Sequence, residues 1–269
     1  MSFTDRLSAI CRERRSHICI GLDPVWDRLP DAVKRDDDPI LAFNRAIIDS
    51  TIDIAPVYKP NLAFYEALGL SGWTSLKKTI DYVNGRAIVL GDAKRGDIDN
   101  TAKAYAQAMF DALGVDACTI SVYPGLDSAQ PFLDRPDRGV FILCRTSNPS
   151  APMLQDLQIN GRPLYEHVAR MALTWDINRN CGLVVGATYP RELSDIRAIA
   201  KDLPFLIPGI GAQGGDLEAS VTAGGTGPFI INSSRSIIYA DSGPRFADAA
   251  RTAAIALRDQ IEALVMATD

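Results

Sequence analysis

The chain has only two histidines in 269 residues, His17 and His167. That leaves little from which to build a histidine metal site or a Ser-His triad. His17 opens an apolar run, and His167 falls within the helical pattern Leu164, Val168, Met171, Ala172 and Trp175, so both read as structural. The five cysteines (Cys11, Cys19, Cys118, Cys144 and Cys181) form no C-x-x-C pair. Several lie inside apolar runs, which fits free core thiols in a reducing compartment better than a disulfide framework. No apolar stretch is long enough to span a bilayer, and the opening Met1 to Arg6 has no signal-peptide core. The expected location is the cytoplasm, with no membrane partner. A net charge of −5 without a basic stripe argues against nucleic acid as a partner. Any anionic ligand then needs a locally positive pocket. No HExxH, EF-hand or P-loop sequence is present, and no metal or cofactor is expected.

Short apolar runs alternate with helical patterns instead. The runs are Ile18–Leu22, Val57–Lys59, Ala87–Leu90, Ala117–Ile120, Val140–Cys144, Leu183–Val185, Phe205–Ile207 and Phe229–Ile231. Helical patterns cover Ile40–Ile54, Thr101–Leu113, Leu164–Ile177, Arg191–Ala200 and Phe246–Val265, among others. Repeated strand–helix units imply a parallel sheet with right-handed crossovers. Eight of them predict an α/β fold of the (β/α)8 TIM-barrel type, one domain over residues 1–269, since no Pro/Ser-rich linker divides the chain. An open doubly wound sheet is the alternative, because periodicity does not reveal closure. Asp36–Asp38 reads as a solvated turn before a helix with Pro39 in its first turn. Arg145–Pro163 is long and carries three prolines, which predicts a functional or disordered loop.

In such barrels the active site lies at the C-terminal ends of the strands. Polar residues follow most of the apolar runs here: Asp23, then Lys59 and Asn61, then Asp92 and Lys94, then Thr146-Ser147-Asn148, and finally Asn232 to Ser236. Asp92-Ala93-Lys94-Arg95-Gly96-Asp97 is the most informative segment. Asp92 and Lys94 are two apart and project from one strand face, with Asp97 beyond a glycine. An ammonium among carboxylates at a buried strand end is either a structural ion pair or a functional site. The seventh run leads into Pro208-Gly209-Ile210-Gly211-Ala212-Gln213-Gly214-Gly215-Asp216, and the eighth into Ser233-Ser234-Arg235-Ser236. Glycines that let backbone N–H groups approach an anion, with an arginine one strand later, read either as a phosphate site held by Gln213 and Arg235 or as a flexible glycine turn with a surface arginine, and the combination favours phosphate.

Asp92-x-Lys94-x-x-Asp97-Ile98-x-x-Thr101 resembles the signature of the orotidine 5′-phosphate decarboxylase family. Gly21-Leu22-Asp23-Pro24, Tyr58-Lys59-Pro60-Asn61 and Ser234-Arg235-Ser236 resemble further family segments, so the similarity runs nearly end to end. Lys59 to Glu66 and Cys144 to Pro149 are similar to the long-chain bacterial branch, the type 2 subfamily. The resemblance implies a homodimeric TIM barrel of pyrimidine biosynthesis. It would convert orotidine 5′-monophosphate to UMP and CO2 without a cofactor. It also implies roles for single residues. Lys94 would protonate C6, with Asp92 beside the substrate carboxylate. Asp23 and Lys59 would hold ribose hydroxyls, with Lys59 also in the charged network. Asp97 and Thr101, with Ile98, would reach in from the partner subunit. Ser147, or the adjacent Thr146, would contact the pyrimidine, and Gln213 and Arg235 the phosphate. Asn61 and Ser234 would complete the substrate-binding set.

Those residue types suit the reaction. Loss of CO2 leaves a carbanion at C6 with little delocalisation, so pre-oriented charge must stabilise it. A lysine flanked by aspartates stays an ammonium and can deliver a proton as charge develops. Three other readings of the same residues stay open. One is a metal-dependent sugar-phosphate decarboxylase or synthase, and another a Schiff-base aldolase using Lys94 or Lys59. The third is a non-catalytic protein that binds nucleotide phosphate.

Overall fold

Apolar runs that alternate with amphipathic helices bury both strand faces only in a sheet covered on each side. The computed structural model, which describes residues 1–83, 85–210 and 215–268, has that architecture. Its barrel strands are β1 Ile18–Leu22, β2 Val57–Pro60, β3 Ile88–Arg95, β4 Ala117–Ile120, β5 Gly139–Arg145, β6 Cys181–Val185, β7 Phe205–Pro208 and β8 Phe229–Ser233. Each strand pairs in parallel with the next in sequence, and β8 closes on β1 with Ile18 opposite Ile231. The fold is therefore a (β/α)8 TIM barrel and not an open sheet.

The two faces of each strand do different work. Outward residues such as Ile18, Ile20, Tyr58, Val89, Cys118, Ile142, Leu183 and Ile231 pack under the helices. Inward residues Cys19, Val57, Leu90, Ala117, Phe141, Val184, Leu206 and Ile230 fill the cylinder. The N-terminal helix Phe3–Arg14 completes this inner plug with Phe3, Leu7 and Cys11, a stripe at four-residue spacing. Phe3 meets Phe141 edge-on at 6.1 Å. It also leans on Gly139 at the start of β5, where a Cβ would stand 2.4 Å from the ring. The helix thus seals the N-terminal end of the barrel. Moving two residues along an inward face from the plug reaches the opposite rim. Val57 gives way to Lys59, Leu90 to Asp92, Ala117 to Thr119 and Ile230 to Asn232. The polar rim is the continuation of the apolar core with the same period.

All eight expected strands form, with shifted ends. β3 runs on to Arg95 instead of stopping at Leu90, and its register against β4 slips between Gly91 and Arg95. The expected helix over Thr101–Leu113 starts at Asp99 and passes into a π-helical turn at Ala108–Leu113. Asp38 is more than a solvated turn residue. It caps the helix Pro39–Thr51 by accepting from Leu41 N at 3.1 Å, and it also accepts from Ser75 Oγ at 2.6 Å. The segment after β5 is ordered, with a short helix Pro152–Gln155 and an antiparallel pair, Gln158–Ile159 with Arg162–Pro163. All five cysteines are buried and free, and burial pushes the Cys11 thiol up to about 12. His17 pairs with Glu262 at 2.7 Å and stacks on Phe229, while His167 bonds to the Ile159 carbonyl.

One buried cation organises the sealed end of the barrel. Arg197 donates to the carbonyls of Gly224, Ala200, Lys201, Leu203 and Pro228 at 2.6 to 3.1 Å, and lies 3.5 Å over the Phe205 ring. Burial opposes its charge and pulls its pKa down to about 9. Arg197→Leu strands several carbonyls at once, so a loss of roughly 3 kcal/mol is expected in urea unfolding. Kinetic constants should not move, because the residue is remote from the rim.

Candidate active site

Residues of all eight strands and the segments directly behind them surround a cavity of about 430 Å3. Its lining includes Asp23, Lys59, Asn61, Asp92, Lys94, Thr119, Ser147 and Asn232. Leu143, Val184 and Leu206 supply an apolar floor. The volume lies in the range of small-ligand sites.

Asp92 is the hub. Lys59 Nζ donates to its Oδ2 at 2.9 Å, and Lys94 Nζ to its Oδ1 at 2.5 Å. Thr119 Oγ1 adds a third bond to Oδ1 at 2.9 Å. The same hydroxyl accepts from the backbone N–H groups of Ala93 and Lys94, which ties the bend in β3 to β4. Burial alone would raise the Asp92 pKa, but the two ammonium groups override it and hold the carboxyl far below the usual range. Burial likewise works against the Lys59 charge, and Asp92 and Asp23 more than offset it, so its pKa is raised. The Lys59 side chain is 5% exposed, whereas that of Lys94 is 48% exposed and free to meet a ligand.

Two further features point to function. Lys94 has φ of 48°, a left-handed conformation that a lysine adopts at a cost of about 1–3 kcal/mol. The register slip in β3 and the Thr119 bonds hold it there. Second, Asp23 Oδ1 and Asn232 Oδ1 are buried acceptors with no donor among the described residues, and both residues line the cavity. Buried polar atoms are rarely left unpaired, and a ligand hydroxyl would satisfy them.

The structure brings Asp23, Lys59, Asn61, Asp92, Lys94 and Ser147 to one cavity, as the sequence predicts. Asn61 has a second task, capping the helix Leu62–Glu66 by accepting from Ala63 N at 3.2 Å. Ser234 is turned aside and donates to the Gly21 carbonyl at 3.2 Å. A Cβ on residue 21 would lie 2.6 Å from that of Ser234, so only glycine allows this approach of β1 and β8. Arg235 is exposed at the start of the short helix Arg235–Ile238, with no partner among the described residues. Gln213 lies outside the described residues. Asp97, Ile98 and Thr101 do not line their own chain's cavity; Ile98 is 48% exposed, and Asp97 accepts from Ile98 N. Sequence reasoning gave no role to Thr119 or to the acceptor of Asn232. The signal was available, as each is the polar residue two beyond an inward apolar one.

Fold and rim together define a barrel enzyme built around a lysine–carboxylate–lysine network at the cavity. The chain matches the model of the orotidine 5′-phosphate decarboxylase / HUMPS family over residues 16–250, and it belongs to that family. It is 53% identical over 254 residues to an orotidine 5′-phosphate decarboxylase of Herpetosiphon aurantiacus, covering 94% of this chain and 95% of that one. It is 49% identical to the enzyme so named from Roseiflexus castenholzii, covering 99% of this chain and all of the other. Among solved structures, OMP decarboxylase of Leishmania donovani superposes with a TM-score of 0.85 at 41% identity, covering 98% of each chain. The relatives so named are carboxy-lyases, and this chain is an enzyme of their family.

Proposed function

We propose that the protein decarboxylates orotidine 5′-monophosphate to UMP and CO2, without a cofactor, in pyrimidine biosynthesis. The observation that carries this reading is the Lys59–Asp92–Lys94 network, with its half-exposed ammonium at the cavity. The C6–carboxylate bond breaks, its electron pair stays on C6, and CO2 leaves. Lys94 Nζ gives a proton to C6 and regains one from solvent. The network is already charged and oriented before the bond breaks, so little reorganisation is needed as negative charge develops. Both oxygens of Asp92 accept from ammonium groups, which suits this role better than metal ligation.

Asp23, whose Oδ1 meets no donor among the described residues, and Lys59 hold the ribose hydroxyls, and Asn61 lies beside them. Ser147 contacts the pyrimidine. Arg235 and Gln213, with Ser234, grip the phosphate. That group is remote from the breaking bond, so its binding energy can orient the substrate. The protein works as a homodimer in which Asp97, Thr101 and Ile98 complete the partner's site; their separation from their own cavity favours this arrangement. The buried free thiols suit a cytoplasmic location.

Two experiments test these statements. Metal-stripped protein in EDTA should bleach the ultraviolet absorption of orotidylate, and no bleaching would refute the assigned reaction. Lys94→Ala and Asp97→Ala subunits, each inactive alone, should regain activity when mixed. A mixed dimer carries one doubly damaged site and one intact site, so recovery of up to about a quarter of wild-type activity is expected for free exchange. No recovery despite verified exchange would mean that Asp97 acts within its own chain.

A further inference from the structure

Resting on that reading, we infer that Arg145 and Gln155 are positioning residues that set the hydrogen-bond direction of the segment after β5, and through it the pyrimidine edge the site accepts. Arg145 ends β5 and is only 1% exposed. Its guanidinium lies 3.8 Å over the Tyr189 ring and faces Asp156 at 3.3 Å and Glu192 at 3.9 Å. It does not line the cavity, and it acts through Gln155.

A guanidinium and a backbone N–H can only donate. Arg145 Nη1 and Thr146 N both approach the same atom of Gln155, at 3.2 and 2.9 Å, so that atom has to be the amide oxygen. The Gln155 amide nitrogen is then directed at Thr146 Oγ1, 2.8 Å away. This donor occupies one lone pair of the hydroxyl. The hydroxyl proton goes to Asn148 Oδ1 at 2.6 Å, a distance typical of O–H···O and short for N–H···O. Asn148 Nδ2 donates in turn to Ser150 Oγ at 2.9 Å. Direction therefore propagates from a buried cation through four side chains, with the short 2.6 Å contact to Asn148 Oδ1 setting its sense at the Thr146 hydroxyl.

Thr146 and Asn148 flank Ser147, the proposed pyrimidine contact, and all three line the cavity. With its proton committed, Thr146 Oγ1 can offer a ligand a lone pair but no donor. Asn148 keeps one amide hydrogen free. An acceptor beside a donor complements a ring N–H next to a 4-oxo group, whereas a 4-amino pyrimidine presents the reverse pattern. Sites that bond to a polar edge reject analogues that leave their groups unpaired.

Gln155→Glu is the discriminating variant, since its carboxylate still accepts from Arg145 and Thr146 N but cannot donate to Thr146 Oγ1. The Thr146 proton is then drawn to the introduced carboxylate and away from Asn148. The ratio of UMP to CMP affinity, measured by calorimetry, is expected to fall about tenfold, and KM for orotidylate to rise by a similar factor with kcat within about threefold. Gln155→Met, which removes the relay without adding charge, should lower the ratio too. Arg145→Lys keeps the cation without the fork and should retain part of the discrimination. An unchanged UMP/CMP ratio in both Gln155 variants, with or without a lower Tm, would overturn the inference. Failure of the wild type to decarboxylate would count against the parent reading alone, because the affinity ratio is read without turnover.

Discussion

Lys94→Ala is expected to abolish turnover, lowering kcat by about 10^4-fold or more, while the protein still folds and binds UMP. The removed side chain is half exposed, so its loss leaves no buried void. Asp92 keeps the Lys59 and Thr119 bonds, and the network below the cavity survives. What disappears is the half-exposed ammonium that the proposed mechanism sets against the developing charge. Single-turnover kinetics with orotidylate and calorimetry with UMP separate the two effects. A variant that still turns over within about tenfold of wild type would remove Lys94 from the chemistry.

Asp92→Asn should damage both activity and stability. It keeps the shape but strips the hub of its charge. Lys59 is then left buried with Asp23 as its remaining carboxylate neighbour among the described residues of its own chain. Removing one member of a buried pair costs about 3–5 kcal/mol, because the other stays desolvated. The pH dependence follows from the two shifts. Asp92 is depressed in the folded state, so its contribution is present above the unfolded value of about 4 and is lost as pH falls through its lower native value. Lys59 is raised, so its contribution holds below the unfolded value of about 10.4 and is lost only as pH rises through the higher native one. Between about pH 5 and 9 the stability gap between wild type and Asp92→Asn should therefore be flat. A gap that closes near pH 6 in urea titrations would mean that the pair is not held as ions.

Much of this site was readable from local pattern. A buried strand is continuously apolar, so charge directly behind one marks a rim, and Asp92, Lys94, Lys59 and Asp23 were found that way. The same rule misplaced the end of β3. Asp92 to Arg95 look like a loop by polarity, yet the strand runs on, because Thr119 Oγ1 accepts from the Ala93 and Lys94 N–H groups and Arg95 rejoins β4 opposite Ile120, contacts that no local window contains. The helix Phe3–Arg14 passed unnoticed for a related reason. Its charged face masks a narrow stripe of Phe3, Leu7 and Cys11, although Ser2 accepting from Asp5 N is a capping signal visible in the sequence. Arg145 and Arg197 were beyond local reading. Each acquires its meaning from groups brought near by barrel closure, such as Tyr189 and Glu192 for Arg145, or Pro228 for Arg197. Asp97 and Thr101 carry the same lesson in another form, since in the proposed homodimer what they touch depends on a second chain.

The most direct measurement is the position of the Lys94 ammonium in a crystal of the protein with bound UMP. The expected result is Nζ within about 3.5 Å of the pyrimidine C6, still bonded to Asp92. An amine turned out to bulk solvent, with another donor or a water held at C6, would contradict the account.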